Sequence, residues 1–343
     1  MVNALLKVGS AAHTLARDEM NGVILWARVA GTDIDKGQLF LEIPMPRLWA
    51  VVLAGGEGAR LREVTTALTG EPTPKQFCRL LGGKTLLEET TGRLAGMVDD
   101  RRTLLLLSTS HRRFYADLAQ IRQPALLAEQ PGNLGTAVGM AFALGRIRQT
   151  DRDAVVGFFP SDHHYADVTA FREAVSTAYR VAASHRDRLA LVAATPHGPE
   201  RDYGWIEPGP ALPEDDEGSP VYSVTRFWEK PDGGIVHRLF QNRCFWNTFV
   251  TVGSVGAFHS AFVSAQPALA DALDAVAAAG SAAEEAQVVH DVYARLPRLC
   301  FSADVLARAA ERCVAVPLHS SGWIDIGRPE RLAGVRRPDT LSA

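Results

Sequence analysis

The sequence predicts a doubly wound α/β protein, a mostly parallel sheet with helices on both faces, and three observations support this. Short apolar runs recur at Leu48–Ala54, Thr103–Ser108, Ala154–Phe159 and Leu189–Ala194. Each is continuous rather than alternating, the mark of strands buried on both faces of a parallel sheet. Stretches of helical spacing separate them, such as Lys84–Ala95, with Leu86, Leu87, Thr90 and Leu94 on one face, and the longer Val168–Ser184. The composition is that of an ordinary globular chain, 47% hydrophobic and 22% charged over 343 residues.

Several function classes are disfavoured at once. A net charge of −3 gives no electrostatic case for nucleic acid or acidic membrane surfaces. The four cysteines, Cys78, Cys244, Cys300 and Cys313, are widely spaced without a CxxC pair, which argues against a disulfide framework or a zinc site. Reduced thiols and a cytoplasmic location are the expectation. No run approaches the ~18 apolar residues of a membrane span.

Residues 1–44 form an extension of unknown role, for which no catalytic part is expected. Lys7, Arg17, Asp18 and Glu19 interrupt its apolar residues, unlike a signal peptide. Val23–Val29 and Gln38–Ile43 each read as a strand. Met45-Pro46-Arg47, directly before the first long apolar run, would make a natural start.

That apolar run breaks into Gly55-Gly56-Glu57-Gly58, then Arg60, and the segment closes on Pro74-Lys75-Gln76-Phe77. Glycines straight after a buried strand let backbone N–H groups approach a phosphate, and Arg60 and Lys75 bring two cations to the same place. A nucleotide-phosphate site is the reading. A dinucleotide fingerprint starting at Gly56 would need glycine where Leu61 stands. A Walker loop ending at Gly83-Lys84-Thr85 would need glycine at Cys78.

What remains, G-G-x-G-x-R-L followed by P-K-Q-F, resembles the sugar-1-phosphate nucleotidyltransferases, and its ending resembles the mannose-1-phosphate guanylyltransferases among them. The resemblance implies that Leu53, Ala54, Gly55, Gly56 and Gly58 bind the nucleotide, with Arg60 and Lys75 catalytic.

The chain continues with a helix over His111–Gln120 and a short strand at Ala125–Ala128. Gln130 and the segment to Ala137 open the next helix, where Gly135 and Thr136 suit contact with a base or ribose through free N-terminal amides. The family's usual P-x-x-R-N-T-A reads Leu134-Gly135 at the Arg-Asn positions, which leaves the base open.

The strand Ala154–Phe159 ends in Pro160-Ser161-Asp162-His163-His164. A carboxylate at the C-terminal end of a parallel strand sits where open α/β sheets bind ligands. By resemblance Asp162 is catalytic and binds Mg2+; the bland alternative is a cap on the next helix. His163 and His164 read as loop-lining, since adjacent side chains point apart and no HExxH exists.

Beyond Thr195 the texture changes. Tyr203–Glu207 and Val221–Trp228 read as a hairpin around the acidic turn Pro213–Pro220. By resemblance, Gly204 and Glu207 of Y-G-W-I-E contact the sugar, as do Glu229 of F-W-E-K-P and Asn247 of W-N-T. Lys230 is catalytic as the holder of the sugar phosphate. The usual glycine after W-N-T is Phe249 here.

Phe258–Ala279 and Glu284–Leu296 read as helices, and Asp304 in Phe301–Leu306 as a cap. A strand at Cys313–Leu318 leads to Ser321-Gly322-Trp323-Ile324-Asp325-Ile326-Gly327, resembling G-W-x-D-[VI]-G, whose aspartate is a second Mg2+ ligand. Two hard carboxylates with phosphate oxygens and water suit that ion.

Residues 45–194 are thus expected to form a nucleotide-binding half, and 195–343 a sugar-phosphate half with β-rich character, of one domain. The implied reaction is in-line attack of a sugar-1-phosphate on a nucleoside triphosphate, mannose-1-phosphate and GTP favoured, giving GDP-mannose and pyrophosphate. Alternatives are a uridylyl- or thymidylyltransferase acting on glucose-1-phosphate, or a non-catalytic nucleotide-sugar-binding homologue. Small molecules are the expected partners, and self-association stays open. Arg62-Glu63-Val64 replaces a segment that usually carries proline, which removes no charge.

Overall fold

The structure, a computed structural model, describes residues 15–20, 23–33, 38–42, 47–121, 126–212, 220–319 and 321–336. Met1–Pro46 and Arg47–Ala343 form separate compact units. In the first, β1 (Leu15–Met20), β2 (Val23–Asp33) and β3 (Gln38–Glu42) make an antiparallel sheet in that order. Two of these strands were legible as apolar runs, whereas LARDEM in β1 carries too many charges to read as one.

The second unit is built on a nine-stranded sheet. Its first part alternates strand and helix: β4 (Leu48–Leu53), α1 (Arg62–Thr69), α2 (Leu86–Leu94), β5 (Thr103–Ser108), α3 (Arg112–Ile121), β6 (Leu127–Gln130), α4 (Thr136–Thr150) and β7 (Val155–Pro160). A two-residue strand β8 (His163–His164) precedes α5 (Val168–Ser184) and β9 (Leu189–Ala194). Then come β10 (Gly204–Ala211), β11 (Tyr222–Glu229), α6 (Gly233–Gln241), β12 (Phe245–Ser254), α7 (Val255–Ala265), α8 (Pro267–Ala278) and α9 (Ala282–Arg295). The chain closes with β13 (Cys313–Leu318), β14 (Ile324–Asp325) and α10 (Pro329–Arg336).

The sheet order is β10-β11-β13-β9-β12-β7-β4-β5-β6. Strands β4 to β7 run parallel, as do β9 and β13, while β12 runs antiparallel between β7 and β9. The doubly wound, mostly parallel sheet expected from the apolar runs is therefore present. Alternate residues of β4 explain its two cores. Val51 packs with α4, α7 and α8 on one face, and Ala50 and Val52 with α2, α5 and α6 on the other.

The sheet continues across residue 194 without a break, β9, β12 and β13 interleaving the two parts of the sequence. The hairpin of β10 and β11 forms as expected, and most of its acidic turn, 213–219, lies outside the described residues. Phe258–Ala279, expected as one helix, is two, because Pro267 cannot continue α7 and instead opens α8.

Candidate active site

The glycine turn after β4 is held by buried amides. Gln76 donates from Nε2 to the carbonyls of Ala54 and Gly56, both at 2.8 Å. Gly58 has φ +61°, and a Cβ there would lie 3.1 Å from the Lys75 amide nitrogen. A Cβ on Gly55 would lie 2.5 Å from Gln130 Nε2. Gln130 is itself fixed at both ends, donating to Leu107 O at 3.3 Å and accepting from the Tyr293 hydroxyl at 2.8 Å. Glycine is thus required at two points of the turn, by close approach and by backbone hand. Arg60 is exposed and forms no ion pair with a described residue, so its charge points to solvent beside the turn.

Lys75 reaches from this turn to the two aspartates. Its Nζ lies 2.8 Å from Asp162 Oδ2 and 3.8 Å from Asp325 Oδ1, and donates to the Ile326 carbonyl at 2.7 Å. The aspartates, far apart in sequence, meet because β8 and β14 pair antiparallel, His163 opposite Asp325. The Ile326 amide donates to Asp162 O at 3.4 Å. The turn before β8 is tied to β4 through Ser161, whose Oγ donates to Leu53 O at 2.6 Å. Asp162 is not a helix cap: α5 is capped by Asp167, whose Oδ1 accepts from Ala170 N at 3.0 Å.

Three residues outside the expected site set, Trp323, His163 and Arg331, complete this cluster. Trp323 Nε1 donates to His163 Nδ1 at 3.2 Å, so the neutral ring carries its proton on Nε2, 3.8 Å from Asp162 Oδ1 and 3.9 Å from Asp325 Oδ1. Burial holds that imidazole below its ordinary pKa against the pull of both carboxylates. Arg331 Nη1 lies 3.5 Å from Asp325 Oδ2, while its Nη2 pairs with Glu200 and Asp202. For Asp162, burial pushes the carboxyl up, but the charge and hydrogen bond of Lys75 outweigh it. The net direction is down, so Asp162 is ionised at neutral pH.

These donors fit a hard divalent cation in chemistry: two carboxylates and a carbonyl oxygen converge on one cationic point. Among the described residues no cluster of three or more His, Cys, Asp or Glu side chains is arranged to hold a metal, so water and substrate oxygens would complete its shell.

Three of the residues expected to contact the sugar also meet. Gly204 pairs with Glu229, and a Cβ on it would lie 3.2 Å from Glu229 Oε2 and 3.3 Å from Asn247 Cβ. Burial raises the Glu229 carboxyl above its ordinary pKa, opposed by Lys230, whose exposed Nζ sits 3.4 Å away. Glu207 is not brought to them. It falls on the opposite face of β10, where its Oε2 accepts from Trp228 Nε1 at 3.1 Å. Asn247 Oδ1 accepts from the Phe249 amide at 3.1 Å, leaving its NH2 group to donate.

The start of α4 is more occupied than its sequence suggests. The Gly135 amide donates to Asn133 Oδ1 at 3.0 Å, and the Ala137 amide to Leu299 O at 3.1 Å. Thr136 Oγ1 accepts from Phe301 N at 2.9 Å. Gly135 has φ +88°, and a Cβ there would overlap the Leu299 carbonyl, so asparagine cannot stand in this backbone. Asp304 is a cap, accepting from Cys300 N at 2.7 Å.

The family model for nucleotidyl transferase matches residues 49–340. The chain is 30% identical over 294 residues to the xanthan biosynthesis protein XanB of Xanthomonas campestris pv. campestris, covering 84% of this chain and 59% of that one. It is 29% identical over 288 residues to the mannose-1-phosphate guanylyltransferase of Klebsiella pneumoniae, covering 82% and 58%. The chain thus spans well under two thirds of the length of these relatives. A Thermus thermophilus structure described as a mannose-1-phosphate geranyltransferase superposes with a TM-score of 0.70 at 28% identity, covering 82% of this chain and 76% of that one.

Proposed function

The chain belongs to the nucleotidyl transferase family, and we propose that it transfers a nucleotidyl group from GTP to mannose-1-phosphate, giving GDP-mannose and pyrophosphate. The observation that carries the chemistry is Lys75 seated between Asp162 and Asp325 at the mouth of the glycine turn. A phosphate monoester is already a competent nucleophile, so no general base is needed. Its oxygen bonds to the α-phosphorus as the bond to the β-phosphate oxygen breaks, and both electrons leave with pyrophosphate. The protein's task is alignment and charge neutralisation.

In this reading the turn from Leu53 to Gly58 receives the phosphates through its backbone, with Arg60 folding over them from solvent. Gln130 shapes the nucleotide side, with Gly135 and Thr136 beyond it. Gly204, Glu229 and Asn247 hold the sugar hydroxyls, and Lys230 holds the sugar phosphate. Asp162 and Asp325 would hold Mg2+, which supplies Lewis-acid neutralisation of phosphate charge when bound. The names of the relatives, one a mannose-1-phosphate guanylyltransferase, support the substrate choice.

One observation favours a second base. Gly135 and its fit against Leu299 stand where the guanylyltransferase pattern has asparagine, which keeps UTP or dTTP with glucose-1-phosphate as the rival pair. Pyrophosphate release across the common nucleoside triphosphates, each with mannose- or glucose-1-phosphate and Mg2+, separates the two. GTP with mannose-1-phosphate standing above every other pair is expected. Release with another pair alone overturns the substrates and keeps the chemistry. Silence everywhere, with tight GDP-sugar binding, would make the chain a sensor.

A further inference from the structure

An ammonium ion seeks about three acceptor oxygens, and Lys75 has found two, Ile326 O at 2.7 Å and Asp162 Oδ2 at 2.8 Å, with Asp325 Oδ1 a longer ion-pair partner at 3.8 Å. Lys75 is only 8% exposed, so this is a built seat rather than a surface pairing. All three ligands are hard oxygens, two of them from the carboxylates proposed for the metal. Among the described residues no other cation takes that position. Arg331 touches only the far oxygen of Asp325, at 3.5 Å, and His163 Nε2 comes no nearer than 3.8 Å to either carboxylate. Remove the ammonium and two carboxylates face each other with little to neutralise them.

On the reading that Asp162 and Asp325 hold a divalent cation, we infer that Lys75 is that cation's stand-in. Ammonium and metal compete for one seat, and metal entry expels the ammonium toward the glycine turn. Both charges cannot sit within bonding distance of the same oxygens without strong repulsion, and the doubly charged ion wins the carboxylates. The stem is placed for such a move. The Lys75 backbone lies against Gly58, and the adjacent Gln76 is anchored by its two hydrogen bonds to the turn. Rotation of the four-carbon stem then carries Nζ several ångströms while the backbone stays fixed. Without metal, the phosphate-binding lysine is withheld; with metal, both cations face the phosphates together. The seat therefore couples metal loading to the delivery of a second charge.

Mn2+ titration by calorimetry, without nucleotide, tests this on the intact chain and two variants. Lys75→Met is expected to bind Mn2+ about tenfold more tightly than the unaltered protein, since a competitor has been removed, and Asp162→Asn is expected to lose binding. A Lys75→Met protein that merely loosened the site would bind more weakly. Equal or weaker binding by Lys75→Met, with Asp162→Asn still abolishing it, overturns the competition and leaves the metal reading intact. Unchanged binding by Asp162→Asn overturns both. Should Lys75→Met fail to fold, the unaltered protein answers by NMR. Saturating Mg2+ alone is expected to move the Lys75 Cε resonance toward that of exposed Lys84, and a resonance that stays still overturns the displacement.

Discussion

The residues proposed to receive the nucleotide and those proposed to receive the sugar both include backbone in the left-handed region, reached with different residue types. On the nucleotide side that conformation falls to glycine, Gly58 at φ +61° and Gly135 at φ +88°. Around the residues proposed for the sugar it falls to Lys230 at φ +44° and Phe249 at φ +64°, which with Arg243 at φ +55° are all the positive-φ non-glycines among the described residues. Each such residue costs about 1–2 kcal/mol. The nucleotide side is thus relaxed and braced by Gln76 and Gln130, and the sugar side is strained and held by packing, such as Phe249 against Phe301 with ring centroids 6.1 Å apart. In the proposed function a braced, glycine-built turn suits a constant group, the polyphosphate, and a strained one would fix the particular side chains that tell sugars apart.

That contrast ends where the sides meet, at Lys75, Asp162 and Asp325, and the largest effect is expected there. Asp162→Asn or Lys75→Ala should lower turnover at least about 100-fold while the melting curve by circular dichroism stays cooperative. An active, well-folded variant of either would detach the aspartate pair from the chemistry. Next, Gly135→Ala should cost about 3 kcal/mol in denaturant unfolding, left-handed strain adding to overlap with the Leu299 carbonyl. A near-neutral result would mean that the helix start is not rigid. Gln76→Leu should cost about 2 kcal/mol, because the Ala54 and Gly56 carbonyls lose their donor, and should raise the KM for the nucleotide. The smallest effect on stability is expected across the cleft. Lys230→Gly relieves strain at an exposed residue whose ion pair with Glu229 is weak, so stability should hold or rise by up to about 1 kcal/mol while turnover falls. A clear loss of stability would show that Lys230 is not strained at a cost.

The same contrast explains what the sequence disclosed. The parallel strands were legible because burial on both faces leaves continuous apolar runs, and β9, α5 and β13 fall at the residues expected. The glycine turn was legible because only glycine serves there. A left-handed Phe249 leaves no such sign, and its departure from the family's glycine was visible without its geometry. The β8–β14 ladder that joins the two aspartates is two residues long on each side, too short for any periodicity. Tyr293 and Arg331 support the site through partners remote in sequence, so nothing local singled them out, and Gln76 and Trp323 stood inside the P-K-Q-F and G-W-x-D-[VI]-G motifs while their contacts left no sign. Glu207 faces away from Gly204 through parity, since residues three apart on a strand face opposite ways.

The division of labour between the two sides is tested most directly by the KM of each substrate in Gly58→Ala and Phe249→Gly. Gly58→Ala should raise the nucleotide KM and leave the sugar-phosphate KM within about twofold, a shift too small to mark a lost contact. Phe249→Gly should do the reverse. Equal increases in both constants for both variants would contradict a cleft with one side for each substrate.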